Sequence, residues 1–248
     1  IKTQFYPNEE SIIVASFNDS KVARQTADEL KDLKPTMLEY IDSELFAIAR
    51  KHGKKFLFDK PNTGDSSASV LYISFSDFSA KARHRNMKKA IKVLSKVEAG
   101  VLTSDDYSNE ELRAILEVSA SVLQPESKDD SFPSLIDGAS VPVDKLEDFI
   151  SSVNELAEKQ HVELPLQIRW QSGVIRTRPC LQLHIISDKQ KVFRLMSEYA
   201  NLVSSFGGCM VTESSEGRLK TTATYCQIDK DVLALYEQIR TTFDPFGT

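Results

Sequence analysis

Glycine is scarce in this chain: nine residues in 248, none of them in a GxGxxG or Walker-type spacing. A loop that wraps phosphate in backbone N–H groups needs such glycines, so a phosphate cradle of that kind is absent. Cysteine is scarcer. Cys180, Cys209 and Cys226 are odd in number and lack a CxxC pair, which speaks against a disulfide framework or a thiolate metal site and predicts structural thiols in a reducing compartment. No apolar run approaches the roughly 20 residues that span a bilayer, and no signal peptide opens the chain. Positive charge is not in excess either. A net charge of −5 and a pI near 5.5 argue against a general grip on nucleic acid through its phosphates.

What remains is the composition of a soluble globular protein, 41% hydrophobic and 27% charged, long enough for one large core or two small ones. Ser11–Phe17, Met37–Ile41, Val70–Phe75 and Ala99–Thr103 read as strands. Ser20–Lys34, Asp42–His52, Ser79–Val97 and Asn109–Leu123 carry the three- and four-residue apolar spacing of helices. The basic KARHRNMKKAIK face of the third helix is expected to be solvated. Residues 124–137 lack periodicity and divide the chain into sub-halves 1–123 and 138–248. In the second, Ser140–Val143, Leu164–Trp170, Val174–Ile186 and Cys209–Thr212 read as strands, with helices over 144–159, 188–206 and 229–241. Strand, helix, strand, strand, helix, strand thus occurs twice. That is the split βαβ, ferredoxin-like order, and the fold class expected is α+β: a large antiparallel sheet flanked by helices on one face, built of two ferredoxin-like halves.

Three stretches carry chemistry-bearing residues. Ile168–Pro179 (IRWQSGVIRTRP) holds Arg169, Arg176 and Arg178 around Gly173. Gly207–Lys220 (GGCMVTESSEGRLK) ends a helical run on two glycines and then exposes Glu213, Ser214 and Arg218 around Gly217, where a chain reversal is predicted. The chain closes on Phe243-Asp244-Pro245-Phe246-Gly247-Thr248. These stretches resemble the C-terminal half of FAD-linked oxidases of the vanillyl-alcohol-oxidase type, D-lactate dehydrogenase and glycolate oxidase group. That group carries GG-x-x-x-G-E-H-x-x-G-R, preceded by G-H-x-x-x-G-N-x-H and followed by FDP-x-G-x-LNPG. Gly207, Gly208, Glu213, Gly217 and Arg218 match the first motif, Gly173 matches the second, and the tail matches the third.

The resemblance implies the substrate-binding (cap) domain of an FAD-dependent oxidoreductase acting on a small 2-hydroxy acid. FAD would be held by an N-terminal domain outside this sequence, the chain being a piece of a longer protein, colourless and inactive alone, and cytoplasmic or peripheral to a membrane. It also implies what has changed. The family's metal-binding histidines fall on Arg169 and Arg176 and its base on Ser214. A guanidinium neither ligates a metal nor loses its proton, so no metal site is expected and no catalytic base is assigned. The residues left to bind a small anionic substrate are Arg169, Arg176, Arg178, Glu213, Arg218 and Tyr225, with Arg169, Arg176 and Glu213 expected on one face of the sheet. The rival reading makes the arginines surface charges in a catalytically silent domain that binds a small anion or a protein partner. Trp170 is expected in the core, and His184 as a satisfied histidine on a half-buried strand.

Overall fold

The computed structural model describes residues 3, 5–7, 9–59, 69–118, 129–212 and 217–247. Seven strands form one antiparallel sheet: β1 (Glu10–Phe17), β2 (Met37–Ile41), β3 (Ser69–Ser76), β4 (Ala99–Thr103), β5 (Ala139–Ser140), β6 (Gln167–Arg169) and β7 (Val174–Arg176). Their order is β4-β1-β3-β2-β6-β7-β5. The first four strands are arranged as a ferredoxin-like unit. The second unit repeats that order with the sense reversed, a single bridge from Cys209 to Ser140 standing for its outermost strand. The units meet where β2 pairs with β6, Tyr40 opposite Ile168.

One face is covered by α1 (Ser20–Lys31), α3 (Ala80–Leu94), α5 (Leu146–Gln160) and α6 (Ile186–Ser205), around a core that includes Ile13, Tyr40, Phe149, Ile168 and Trp170. Helices were expected on that face, yet α2 (Ser43–Lys51) and α4 (Asn109–Arg113) lie on the other. There Phe46 and Leu112 bury Ile12, Val14, Ile41, Val70 and Tyr72. The reason is legible in β1 and β3, which are apolar at consecutive positions and so need cover on both faces. Strands β6 and β7 are not: Gln167, Arg169 and Arg176 interrupt them, and no helix with a buried apolar face against them is seen among the described residues.

Several elements are shorter than their sequence suggests. Strand β7 stops at Arg176 rather than Ile186, because Pro179 cannot donate to the ladder; Leu181 adds one bridge to Ser131. His184 accordingly sits in a turn, exposed, 4.0 Å from Asp129. The segment expected as a strand at 209–212 contributes only the Cys209 bridge. Gly217 begins a helix, α7 (Gly217–Tyr225), followed by α8 (Lys230–Phe243). All three thiols are exposed rather than structural. The loop 60–67, the helix end at 119–123 and residues 124–128 of the boundary lie outside the described residues.

Candidate functional site

The β6–β7 hairpin decides where the arginines go. Gln167 pairs with Arg176, Ile168 with Ile175 and Arg169 with Val174. Residues directly opposite share a face and alternate residues return to it, so Gln167, Arg169, Val174 and Arg176 line one face while Ile168 and Ile175 enter the core on the other. Arg169 and Arg176 are diagonal neighbours, roughly 7–8 Å apart at the backbone. On the same face, in register with Arg169, stands Glu39 of β2. Glu39 is only 4% exposed. Its Oε1 accepts from Arg169 Nε at 3.1 Å, and its Oε2 accepts from Gln167 Nε2 at 2.5 Å. A buried carboxylate is tolerable only when paired and hydrogen-bonded in this way. Arg176 is exposed and makes no ion pair among the described residues. The patch therefore pairs one anchored guanidinium with a second, solvent-facing one.

Two motif glycines brace this face for a steric reason. Gly173 turns the chain between the arginines at φ +66, and a Cβ there would meet the Val141 carbonyl oxygen at 2.0 Å. Gly208 brings the segment after α6 equally close: its Cβ would meet the Ser140 carbonyl oxygen at 2.2 Å. Between them the dipeptide Ser140-Val141 is hydrogen-bonded on both sides, Val141 N–H to the Gly173 carbonyl at 3.1 Å and Ser140 N–H to the Cys209 carbonyl at 2.8 Å. The chain then runs to Thr212, whose hydroxyl donates to the Gly138 carbonyl at 2.7 Å. Glu213 and Ser214 follow at once and lie outside the described residues.

The model of the C-terminal domain of FAD-linked oxidases matches residues 6–248. The chain belongs to this family. No curated protein sequence matches it. Among solved structures, p-cresol methylhydroxylase with substrate bound is similar with a TM-score of 0.69 at 11% identity, over 96% of this chain and 51% of that one. A 4-ethylphenol oxidase from Gulosibacter chungangensis, in complex with isoeugenol, gives 0.64 at 13% identity, over 97% and 52%. An alkyldihydroxyacetonephosphate synthase gives 0.53 at 14% identity, over 98% and 44%. At such identities the likeness is one of fold, and the chain spans about half the length of these proteins.

Membership of the FAD-linked oxidase family implies FAD in the full-length protein. The described residues do not themselves fit the cofactor. Both glycines at which backbone comes closest, Gly173 and Gly208, are filled by this chain's own Ser140-Val141, so neither leaves a cradle for a pyrophosphate. No group of His, Cys, Asp or Glu among the described residues could hold a metal ion, and no helix among them is long and apolar enough to cross a membrane.

The remaining expected site residues are dispersed. Arg178 donates from Nε to Asp137 Oδ2 at 2.9 Å. Lys220 of α7, which the sequence did not single out, donates from Nζ to the Asp137 carbonyl and is 4% exposed; burial pulls its pKa down. Arg218 and Tyr225 are exposed on α7 and make no hydrogen bond to Arg169 or Arg176 among the described residues. Glu39 and Gln167 were also missed. Their signal was available: polar residues at alternate positions of two strands, MLEYI and QIR, whose other positions are apolar.

A second polar locus lies at the far end of β2, in a crevice of about 820 Å³ lined by Arg24, Asp42, Glu44, His161 and Glu163 among others. Tyr40 donates its hydroxyl to Asp42 Oδ1, and Leu166 N–H donates to Oδ2 at 2.8 Å. Burial pushes the Asp42 carboxyl above the usual carboxylate range, opposed by those bonds and by Arg24. The folded chain thus holds this proton more tightly than the unfolded one. The stability it contributes is fully present below roughly pH 4, the ordinary aspartate value, and is lost as pH rises through the elevated one. Asp42→Asn is expected to remove that component, so the difference in unfolding free energy between wild type and variant should shift in the variant's favour from acid to neutral pH. A pH-independent difference in denaturant titrations would contradict this.

Proposed function

We propose that this chain is the substrate-binding (cap) domain of an FAD-dependent oxidoreductase acting on a small 2-hydroxy acid of the D-lactate or glycolate type. A flavin-binding domain outside this sequence holds the FAD. The observation that carries the reading is the pair Arg169 and Arg176 on one sheet face, one of them tied to the buried Glu39. Two cations replace a metal ion as the counter-charge for a carboxylate, and guanidinium forks suit a carboxylate's two oxygens. Glu39 fixes the first fork from the side, through Nε, and so orients it. Glu213 would close the site from the segment that leaves Thr212. Exposed thiols outside any disulfide fit a reducing, cytoplasmic setting.

A second reading is favoured by one residue. Ser214 occupies the position of the family's base, and serine without a neighbouring base is a poor proton acceptor. On that reading the same face binds a small anion or a protein partner without turnover. The two readings separate in the full-length protein. It is expected to purify yellow with one flavin per chain, and 2-hydroxy acids are expected to bleach it anaerobically. Carboxylate binding that perturbs the flavin spectrum without ever reducing it would favour the silent domain.

A further inference from the structure

Helix α3, AKARHRNMKKAIKVL, carries six cations and no acid in a chain whose net charge is −5, so the residues outside it total −11. Arg83, Met87, Ala90 and Leu94 form its buried stripe. Arg83 is engaged there, donating to Glu9 and to the Asp77 carbonyl at 2.5 Å. The other five cations are Lys81, Arg85, Lys88, Lys89 and Lys92. On a helical wheel they fall in a stripe about 100° wide, centred opposite the buried one. All five are exposed, and none makes an ion pair among the described residues. Lys81 and Arg85, Arg85 and Lys89, and Lys88 and Lys92 are each four residues apart, a spacing at which like charges destabilise a helix. One carboxylate would relieve that repulsion, as Glu29 does for Lys96 just past the helix, at 3.6 Å. The stripe has none. Its side chains surround a crevice of about 740 Å³ whose lining holds no carboxylate, and they make a concentrated positive field.

The choice of occupant follows from residue type and charge. Four of the five are lysines, compact charges without a planar fork, and no apolar side chain lies among them. Contacts between proteins deplete lysine and are built round aromatic and arginine anchors. A nucleic acid long enough to wrap the molecule would bring its phosphates against the acidic remainder. An anionic lipid surface is flat and meets one stripe alone, while the acidic remainder turns away and orients the molecule. Phe78, 70% exposed, stands one residue before the N-cap Ser79, where an aromatic ring can enter the headgroup layer. Helix α3 also covers the sheet face opposite Arg169 and Arg176, so a surface docked on it leaves the arginine face open. We propose that the α3 stripe docks this protein on the headgroups of an anionic membrane, lying on the surface without crossing it.

The test uses the full-length protein, sedimented at low salt with vesicles of equal parts phosphatidylglycerol and phosphatidylcholine, or of phosphatidylcholine alone. Binding to the first and not the second is expected, and it should fall steeply as added salt shortens the screening length. Each lysine or arginine beside an anionic surface strengthens binding roughly fivefold. Arg85→Gln combined with Lys88→Gln and Lys92→Gln should therefore weaken it on the order of a hundredfold. Glutamine is a good helix former, so the stripe variant keeps its helix and its melting temperature. Lys54→Gln with Lys55→Gln and Lys189→Gln removes as much charge from other surfaces and should bind close to wild type. Equal binding by the two variants, or no preference between the two kinds of vesicle, would overturn the proposal. So would binding of duplex DNA or of tripolyphosphate without any binding to vesicles, which assigns the stripe to a nucleic acid or to a soluble phosphate.

Discussion

Replacing Arg176 with alanine in the full-length protein should weaken the binding of a small carboxylate about tenfold to a hundredfold. Arg176 is the exposed member of the pair, so little structure depends on it. A charge-assisted hydrogen bond contributes roughly 1.5–3 kcal/mol, and about 1.4 kcal/mol corresponds to one decade of affinity. Arg169→Ala should cost at least as much affinity and some stability too. It leaves Glu39, 4% exposed, with Gln167 as its remaining partner among the bonds described above. Arg176→Lys keeps the charge and loses the planar fork, so its affinity should fall between wild type and Arg176→Ala. Titration with D-lactate and glycolate against an isosteric neutral amide reads the effect. If the arginines merely decorate the sheet, Arg176→Ala will change the melting temperature slightly and leave carboxylate affinity where it was.

Gly173→Ala should be the most damaging single methyl group in the site. The residue sits at φ +66, which costs a residue with a Cβ about 1–2 kcal/mol. The new methyl would lie 2.0 Å from the Val141 carbonyl oxygen, and backbone cannot swing aside as a side-chain tip can. Overpacking adds roughly 1–3 kcal/mol. A total of about 2–5 kcal/mol corresponds to a fall in melting temperature of roughly 5–15 °C for a chain of this size. Because Gly173 joins the strands that carry Arg169 and Arg176, carboxylate affinity should fall with stability. Gly53→Ala offers a control: it also has positive φ, but its Cβ would meet nothing within 4 Å. Equal effects at the two glycines would show that the conformational cost alone operates at Gly173.

These two residues also show how far the sequence could be read. The turn at Gly173 was legible, and so was the convergence of the arginines on either side of it, since a tight connection between two short strands forces a register. What no linear reading could supply was the third body in the contact, Ser140-Val141, which meets both Gly173 and Gly208 from another part of the chain. Glu39 was hidden for a similar reason. Within MLEYI it looks like one polar position in an edge-like strand, and only the pairing of β2 with β6 puts Arg169 beside it. The ferredoxin-like order was readable because β1 and β3 are long and apolar. The second unit was over-read, with β7 extended to Ile186 through Pro179 and a strand assigned where one bridge at Cys209 suffices. His184 shows the consequence: its apolar neighbours suggested a half-buried strand, but past the end of β7 they belong to an exposed turn.

The proposed substrate chemistry differs from that in the names of similar structures, a 4-ethylphenol oxidase and a p-cresol methylhydroxylase. A cationic face holding two arginines favours a carboxylate over an uncharged phenol. The most direct measurement is anaerobic mixing of the full-length flavoprotein with D-lactate, glycolate, 4-ethylphenol and p-cresol, following flavin absorbance, for wild type and Arg176→Ala. Bleaching by a hydroxy acid, slowed at sub-saturating concentration by Arg176→Ala and absent with the phenols, is the expected result. Bleaching by the phenols alone, at a rate indifferent to Arg176, would contradict it.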